Sequence, residues 1–320
     1  MPRVGVVDLG TNSTRLLVAD VSDGAVHDVV RRTTITRLGE GVDERRILLP
    51  VPIARVRNCL AEYRRQAEEL GAERVLLIAT SAVRDAENGE AFLGEIEWSY
   101  GFTTRLLSGA EEALMTFSGV TGGTPPAEPV VVVDIGGGST ELVVGDADGI
   151  RFHTSFDIGS VRLTERFLAS DPPTAAELER CAAAVRNAVT AVPEELRRFP
   201  RRAIGVAGSV TTLAALDLEL AVYDPERVHG HRIAATTIGA QLERLAALPL
   251  ADRREVVGLE PERAPVILGG IVIAREAVRL FGLDALEVSE HDILDGAAHE
   301  AAALPLRAEG DAPPGAFTCC

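Results

Sequence analysis

The stretch from Val130 to Gly145 reads VVVVDIGGGSTELVVG. Four valines run into Asp134, and Glu141-Leu142-Val143-Val144 returns after Gly136-Gly137-Gly138-Ser139-Thr140. β-Branched runs on either side of a glycine cluster predict two strands joined by a hairpin turn. Glycine admits positive φ and close approach of a bulky anion, so the N–H groups of such a turn can converge on phosphate oxygens. Asp134 ends a buried strand beside the turn, where a carboxylate can hold Mg2+ directly or through water. Taken alone, a glycine turn between strands is most often only a turn.

The pattern occurs a second time at the N-terminus. Val4-Gly5-Val6-Val7-Asp8-Leu9-Gly10-Thr11-Asn12-Ser13 runs into Thr14-Arg15-Leu16-Leu17-Val18-Ala19-Asp20, again strand, aspartate, glycine, small hydroxyl residues, strand. Duplication of the unit predicts two similar halves that face one another across a phosphate.

Composition narrows the chemistry. The chain has 320 residues, enough for two domains, and its 46% hydrophobic and 25% charged content is that of a soluble globular protein. No apolar run approaches the roughly 20 residues that span a bilayer. The chain enters a strand at once and shows no signal-peptide pattern, so a cytoplasmic location without membrane partners is expected. A net charge of −16 argues against general affinity for nucleic acid. All 32 basic residues are arginine. A P-loop lysine, a Schiff-base lysine and a lysine base are therefore excluded, and phosphate must be held by backbone N–H groups, arginine forks and metal. Cys59 and Cys181 fall in helical patterns, and Cys319-Cys320 end the chain, so neither a disulfide framework nor a zinc site is expected. His229-Gly230-His231, in a strand-like segment without a third ligand, points to hydrogen bonding or phosphate contact.

Periodicity places the other elements. Ala25 to Thr36 reads as a third strand, Pro52 to Gly71 as an amphipathic helix, and Val75 to Thr80 as a buried strand. Arg84 follows that strand's end, where α/β sheets take ligands, though a surface ion pair suits it equally well. A helix over 88–100 and a strand over 103–107 lead to Ser108, a plausible N-cap, with Glu111 and Glu112 in the first turn of the next helix. Spacing alone reads this acidic pair as a complement to the helix dipole. Thr121-Gly122-Gly123-Thr124-Pro125-Pro126 is the clearest linker, giving domains 1–123 and 124–304 and a loose tail 305–320. In the second half a strand over 149–158 precedes a glycine turn, Asp157 to Arg162, into a helix. A long helix over 174–198 and a strand over 202–206 follow. That strand turns at Ala207-Gly208-Ser209 into a helix N-terminus, a third small-residue anion site. Helices over 237–248, 253–257 and 266–281, a strand over 286–289 and a helix over 291–303 complete the reading.

Four segments together carry a specific likeness: Val7 to Ser13, Ala79 to Ala86, Leu107 to Ala113, and Asp134 to Glu141. Across nearly the whole chain they resemble the exopolyphosphatase and guanosine pentaphosphate phosphohydrolase family, Ppx/GppA, in a short two-domain form. The resemblance implies an α/β chain in the two-domain ribonuclease-H-like fold shared with actin, Hsp70 and the sugar kinases, with a central cleft. By it Glu112 matches the catalytic base that readies the attacking water. Asp134 matches the carboxylate that positions Mg2+, with Mn2+ as a substitute, and Asp8 and Glu141 are its helpers. The amides of Asn12, Ser13, Gly137, Gly138 and Ser139 match phosphate cradles, and Arg84 a charge clamp. The activity implied is release of terminal orthophosphate from inorganic polyphosphate. Hydrolysis of guanosine pentaphosphate or of nucleoside triphosphates would use the same site. A kinase, an actin-like ATP-binding protein, or a sensor of polyphosphate or of guanosine tetraphosphate are the other readings. Longer relatives carry a further C-terminal region, so a homodimer is expected to supply any extended path for long polymers.

Overall fold

The computed structural model describes residues 1–22 and 24–306. Of the expected tail, residues 307–320, including Cys319 and Cys320, lie outside the described residues. The chain divides into two compact units, one of residues 1–123 with the segment that begins at Ile293, the other of residues 124–292.

The first unit is built on β1 (Arg3–Leu9), β2 (Ser13–Ser22), β3 (Ala25–Ile35), β4 (Arg74–Ala79) and β5 (Thr103–Leu106). Their order is β3-β2-β1-β4-β5. The first three pair antiparallel as a meander, while β1, β4 and β5 run parallel. Parallel neighbours need crossovers, and the helices Pro50–Glu69 and Gly89–Tyr100 supply them. Val56, Leu60, Tyr63, Phe92 and Ile96 from these helices bury one face of the sheet against Val7, Leu9, Leu16 and Val18. Strand side chains alternate, so Val4 and Val6 face the other way. There they meet Leu17, Ala19 and the apolar side of the helix Ile293–Ala303.

That last helix is where the structure departs from the linear division expected at 124–304. Ile293, Leu294, Ala297, Ala298 and Ala301 complete the core of the first unit's sheet. It lies so close to the helix Gly109–Thr121 that a Cβ at Gly296 would stand 2.1 Å from the Met115 carbonyl oxygen. Asp295 pairs with Arg31 at 2.9 Å, and Glu300 with Arg105. A boundary read from linker composition marks where the chain leaves a unit, and it gives no sign of a return.

The second unit repeats the plan with β6 (Val130–Ile135), β7 (Thr140–Asp146), β8 (Gly149–Phe156), β9 (Arg202–Val206), β10 (Arg232–Ala234) and β11 (Ala285–Val288), in the order β10-β11-β9-β6-β7-β8. Strands β6, β7 and β8 form the antiparallel meander, and β6, β9 and β11 run parallel. Only the short antiparallel edge strand β10 is added. Both units thus carry the ribonuclease-H-like order of three antiparallel strands followed by two parallel ones.

Three expected elements come out differently. The short helix expected over 253–257 lies instead at Leu250–Arg253, started by Pro249 at its N-cap, and residues 254–257 are turns. The helix expected over 174–198 ends at Ala188, followed by single 3-10 turns at Val189–Ala191 and Glu194–Leu196. Pro193 has no N–H to continue the ladder and forces Val192 into an extended conformation. His229 and His231 do not share a strand. His231 Nε2 lies 2.7 Å from Asp217 Oδ2, whereas the His229 ring stands edge-on to His291 at 5.1 Å.

Candidate active site

The two hairpin turns are the same structure built twice. Gly10 N–H donates to the Ser13 carbonyl at 3.0 Å, and Gly136 N–H donates to the Ser139 carbonyl at 3.1 Å. The residues flanking the turns are cross-strand partners in matching registers, Asp8 opposite Arg15 and Asp134 opposite Glu141. Directly opposed residues point to one face. The first pair is an ion pair, Arg15 Nη2 to Asp8 Oδ2 at 2.7 Å. The second is a pair of carboxylates, with Glu141 Oε1 accepting from the Ser155 hydroxyl at 2.6 Å.

What holds each turn decides which way its amides point. In the second unit the carbonyls of three successive residues are taken from behind. Ser160 N–H donates to Gly136 O, Val161 and Arg162 N–H to Gly137 O, and the Arg162 side chain, through Nε at 2.7 Å, to Gly138 O. A trans peptide is planar, with its C=O and N–H on opposite sides. The N–H groups of Gly137, Gly138 and Ser139 therefore face away from these anchors, and they donate to nothing among the described residues. In the first unit the Thr11 carbonyl accepts from Gly39 N–H, and that of Asn12 from the N–H groups of Thr36 and Arg37. By the same geometry the amides of Asn12 and Ser13 turn the other way. Successive N–H groups directed to one side form an anion-binding concavity.

Gly159 makes the second arrangement possible. It precedes the helix Ser160–Phe167, and a Cβ there would lie 2.3 Å from the Gly137 oxygen. Any side chain would push the helix start off the turn. The sequence marks the segment Asp157 to Arg162 as a glycine turn, but nothing in linear spacing connects Arg162 with Gly138. Both residues escape a reading of motifs alone.

The acidic pair at the start of the Gly109–Thr121 helix separates into two roles. Ser108 caps the helix, and Glu111 closes a capping box by accepting from the Ser108 N–H at 2.8 Å and hydroxyl at 2.7 Å. These bonds, with Arg105 at 2.6 Å, hold the Glu111 carboxyl down from its usual 4.5 to about 2. Glu112 points elsewhere and is buried. Its Oε2 accepts from Arg84 Nη1 at 3.1 Å, and the same nitrogen donates to the Leu107 carbonyl at 2.8 Å. Arg84 ends a one-turn helix, Ser81–Arg84, directly after β4. Its Nε and Nη2 donate to nothing among the described residues. The first unit thus joins a carboxylate and an arginine fork with donors to spare. Asp8 shares the sheet face that the Gly109–Thr121 and Ile293–Ala303 helices accompany, by its alternation with Val4 and Val6.

Among the described residues no three His, Cys, Asp or Glu side chains gather as a metal-binding group. No helix is long and apolar enough to cross a membrane.

The chain is similar to known proteins along nearly its whole length. The model of the Ppx/GppA phosphatase family matches residues 17–301. Exopolyphosphatase 2 of Mycobacterium tuberculosis is 41% identical over 93% of this chain and 98% of its own length. A guanosine-5'-triphosphate,3'-diphosphate pyrophosphatase of Vibrio vulnificus is 28% identical over 93% of this chain and 59% of its own. The crystal structure of the Aquifex aeolicus member of the Ppx/GppA family aligns with a TM-score of 0.78 at 33% identity, over 93% of this chain and 97% of that one. The chain belongs to the Ppx/GppA phosphatase family.

Proposed function

We propose that the protein is an exopolyphosphatase, a hydrolase of phosphorus-containing anhydrides that releases orthophosphate from the end of inorganic polyphosphate. The observation that carries this reading is the duplicated turn, whose carbonyls are pinned from behind so that its amides face outward in both units. Donors fixed in advance stabilise charge on phosphoryl oxygens without reorganising. A protein of net charge −16 needs such groups concentrated where a polyanion binds. The 41% identity to a mycobacterial exopolyphosphatase supports the substrate class.

In this reading the amides of Asn12 and Ser13 and those of Gly137, Gly138 and Ser139 hold phosphoryl oxygens, and Arg84 offers its remaining guanidinium donors to another. Glu112 accepts a proton from water as the water oxygen bonds to the terminal phosphorus. The bridging P–O bond breaks, orthophosphate leaves, and the shortened chain keeps the bridging oxygen. Phosphoryl transfer of this kind depends on positioning and electrostatics more than on covalent chemistry. Asp134 and Glu141, paired across β6 and β7, offer the hard oxygen ligands that Mg2+ or Mn2+ prefers, and Asp8, held by Arg15, is the third candidate. Such a cation offsets negative charge on the phosphate oxygens when bound. A cytoplasmic location and a homodimer belong to the same proposal, the latter checked by sedimentation of the purified chain.

Guanosine pentaphosphate and nucleoside triphosphates present the same terminal anhydride, and the Vibrio relative is named for the former. Orthophosphate release from polyphosphate, guanosine pentaphosphate and ATP at matched concentration tests the assignment. The expected order puts polyphosphate first by kcat/KM. Turnover of a nucleotide with polyphosphate untouched would overturn it.

A further inference from the structure

Two of the three carbonyls behind the Gly136–Ser139 turn are held by backbone N–H groups at the start of the Ser160–Phe167 helix, and the third by a side chain. We infer that Arg162 is a positioning residue for phosphate capture, fixing the Gly138–Ser139 peptide so that the Ser139 amide faces the phosphoryl group. This rests on the reading of the turn as a phosphate cradle.

The need for such an anchor follows from the sequence of the turn. Glycine peptides rotate at little steric cost, and a flipped Gly138–Ser139 peptide would present a carbonyl oxygen where the anion requires a donor. The N–H groups of Ser160, Val161 and Arg162 are spent on Gly136 and Gly137. Gly138 O is left to the Arg162 guanidinium, which reaches it through Nε at 2.7 Å from a residue that is 7% exposed. A charged donor makes a short and strong hydrogen bond. It also polarises the peptide it grips, which makes the Ser139 N–H a better donor. The first unit needs no such device, because its Asn12 carbonyl accepts two backbone N–H groups. A difference in kind between two otherwise matching turns thus assigns the arginine a task of its own.

Arg162→Met keeps the length of the side chain and removes the donor, while Arg162→Lys keeps the charge without the planar fork. With polyphosphate, Arg162→Met is expected to lower kcat about 10- to 100-fold with KM changed less than about 3-fold, as for loss of one oriented anion donor. Arg162→Lys falls between it and the wild type. The distinguishing readout is the amide spectrum during titration with inorganic phosphate. Ser139 N–H responds in the wild type, and loses most of its response in Arg162→Met while Gly137 keeps its own. A Ser139 response equal in wild type and Arg162→Met overturns the inference, as does no response in the wild type. Should the wild type leave polyphosphate intact, the proposed activity fails, and the phosphate titration still decides the role of Arg162. Should neither variant fold, hydrogen exchange of the Arg162 Nε–H in the wild type decides. Exchange slowed well below that of the exposed Arg65 supports the inference, and equal exchange refutes it.

Discussion

Glu111 and Glu112 are adjacent in sequence and do unrelated work. Glu111 belongs to the capping box with Ser108, a spacing that is legible without coordinates as Ser-x-x-Glu at a helix start. Glu111 is committed to the cap, whereas Glu112 is buried and pairs with Arg84, which makes it the base of the proposed reaction; spacing alone does not make that separation. The depressed carboxyl of Glu111 gives a pH test. A group whose pKa is lower in the folded state stabilises fully above its unfolded value and loses that contribution as pH falls through the folded one. The stability gap between wild type and Glu111→Gln should therefore be constant above about pH 5 and shrink toward pH 2, read from urea midpoints across that range. Ser108→Ala should cost about 1 kcal/mol at neutral pH. Gly159 is equally constrained. Gly159→Ala forces a methyl group into the Gly137–Gly138 peptide. Overpacking of this kind costs about 1–3 kcal/mol, and phosphate release should fall further than the thermal midpoint suggests, because the helix start that aims the amides is displaced.

Among the elements, the strands of both meanders were legible because β-branched runs stop at glycine turns, and the turns themselves because only a few residue types tolerate them. The helix expected over 174–198 is shorter in the structure because the chain tightens into a 3-10 turn after Ala188 and reaches Pro193, which has no N–H to resume a ladder. The helix Ile293–Ala303 is legible in the sequence as a helix, but its apolar face packs on the first unit rather than on residues 124–292. Its burial against β1, β2 and β4 predicts that residues 1–123 alone expose an apolar sheet face. That fragment should bind a hydrophobic dye and unfold without cooperativity. Joining residues 293–306 to it through a flexible linker should restore a cooperative transition. Equal behaviour of the two fragments would show that the helix adds nothing to the unit.

Across the whole molecule, one strand plan occurs twice, and each copy places an aspartate and a turn with outward-facing amides at the same point of its meander. The duplication was visible in sequence because strand, aspartate, glycine and hydroxyl recur in order. What lay behind the turns was not, since Gly39, Gly159 and Arg162 come from segments far along the chain. The same holds for Arg84 and Glu112, 28 residues apart and joined at 3.1 Å. The chain has no lysine, so in the proposed function phosphate is held by these amides, by arginine and by a divalent cation. In the proposed reaction these groups hold a phosphoryl chain while Glu112 readies water. Its most direct test is orthophosphate release from polyphosphate by wild type and Glu112→Gln, a substitution that keeps an oxygen for Arg84. A kcat lower by about 10² to 10⁴ in the variant, with the unfolding transition unchanged, is the predicted result; equal rates in the two proteins would contradict it.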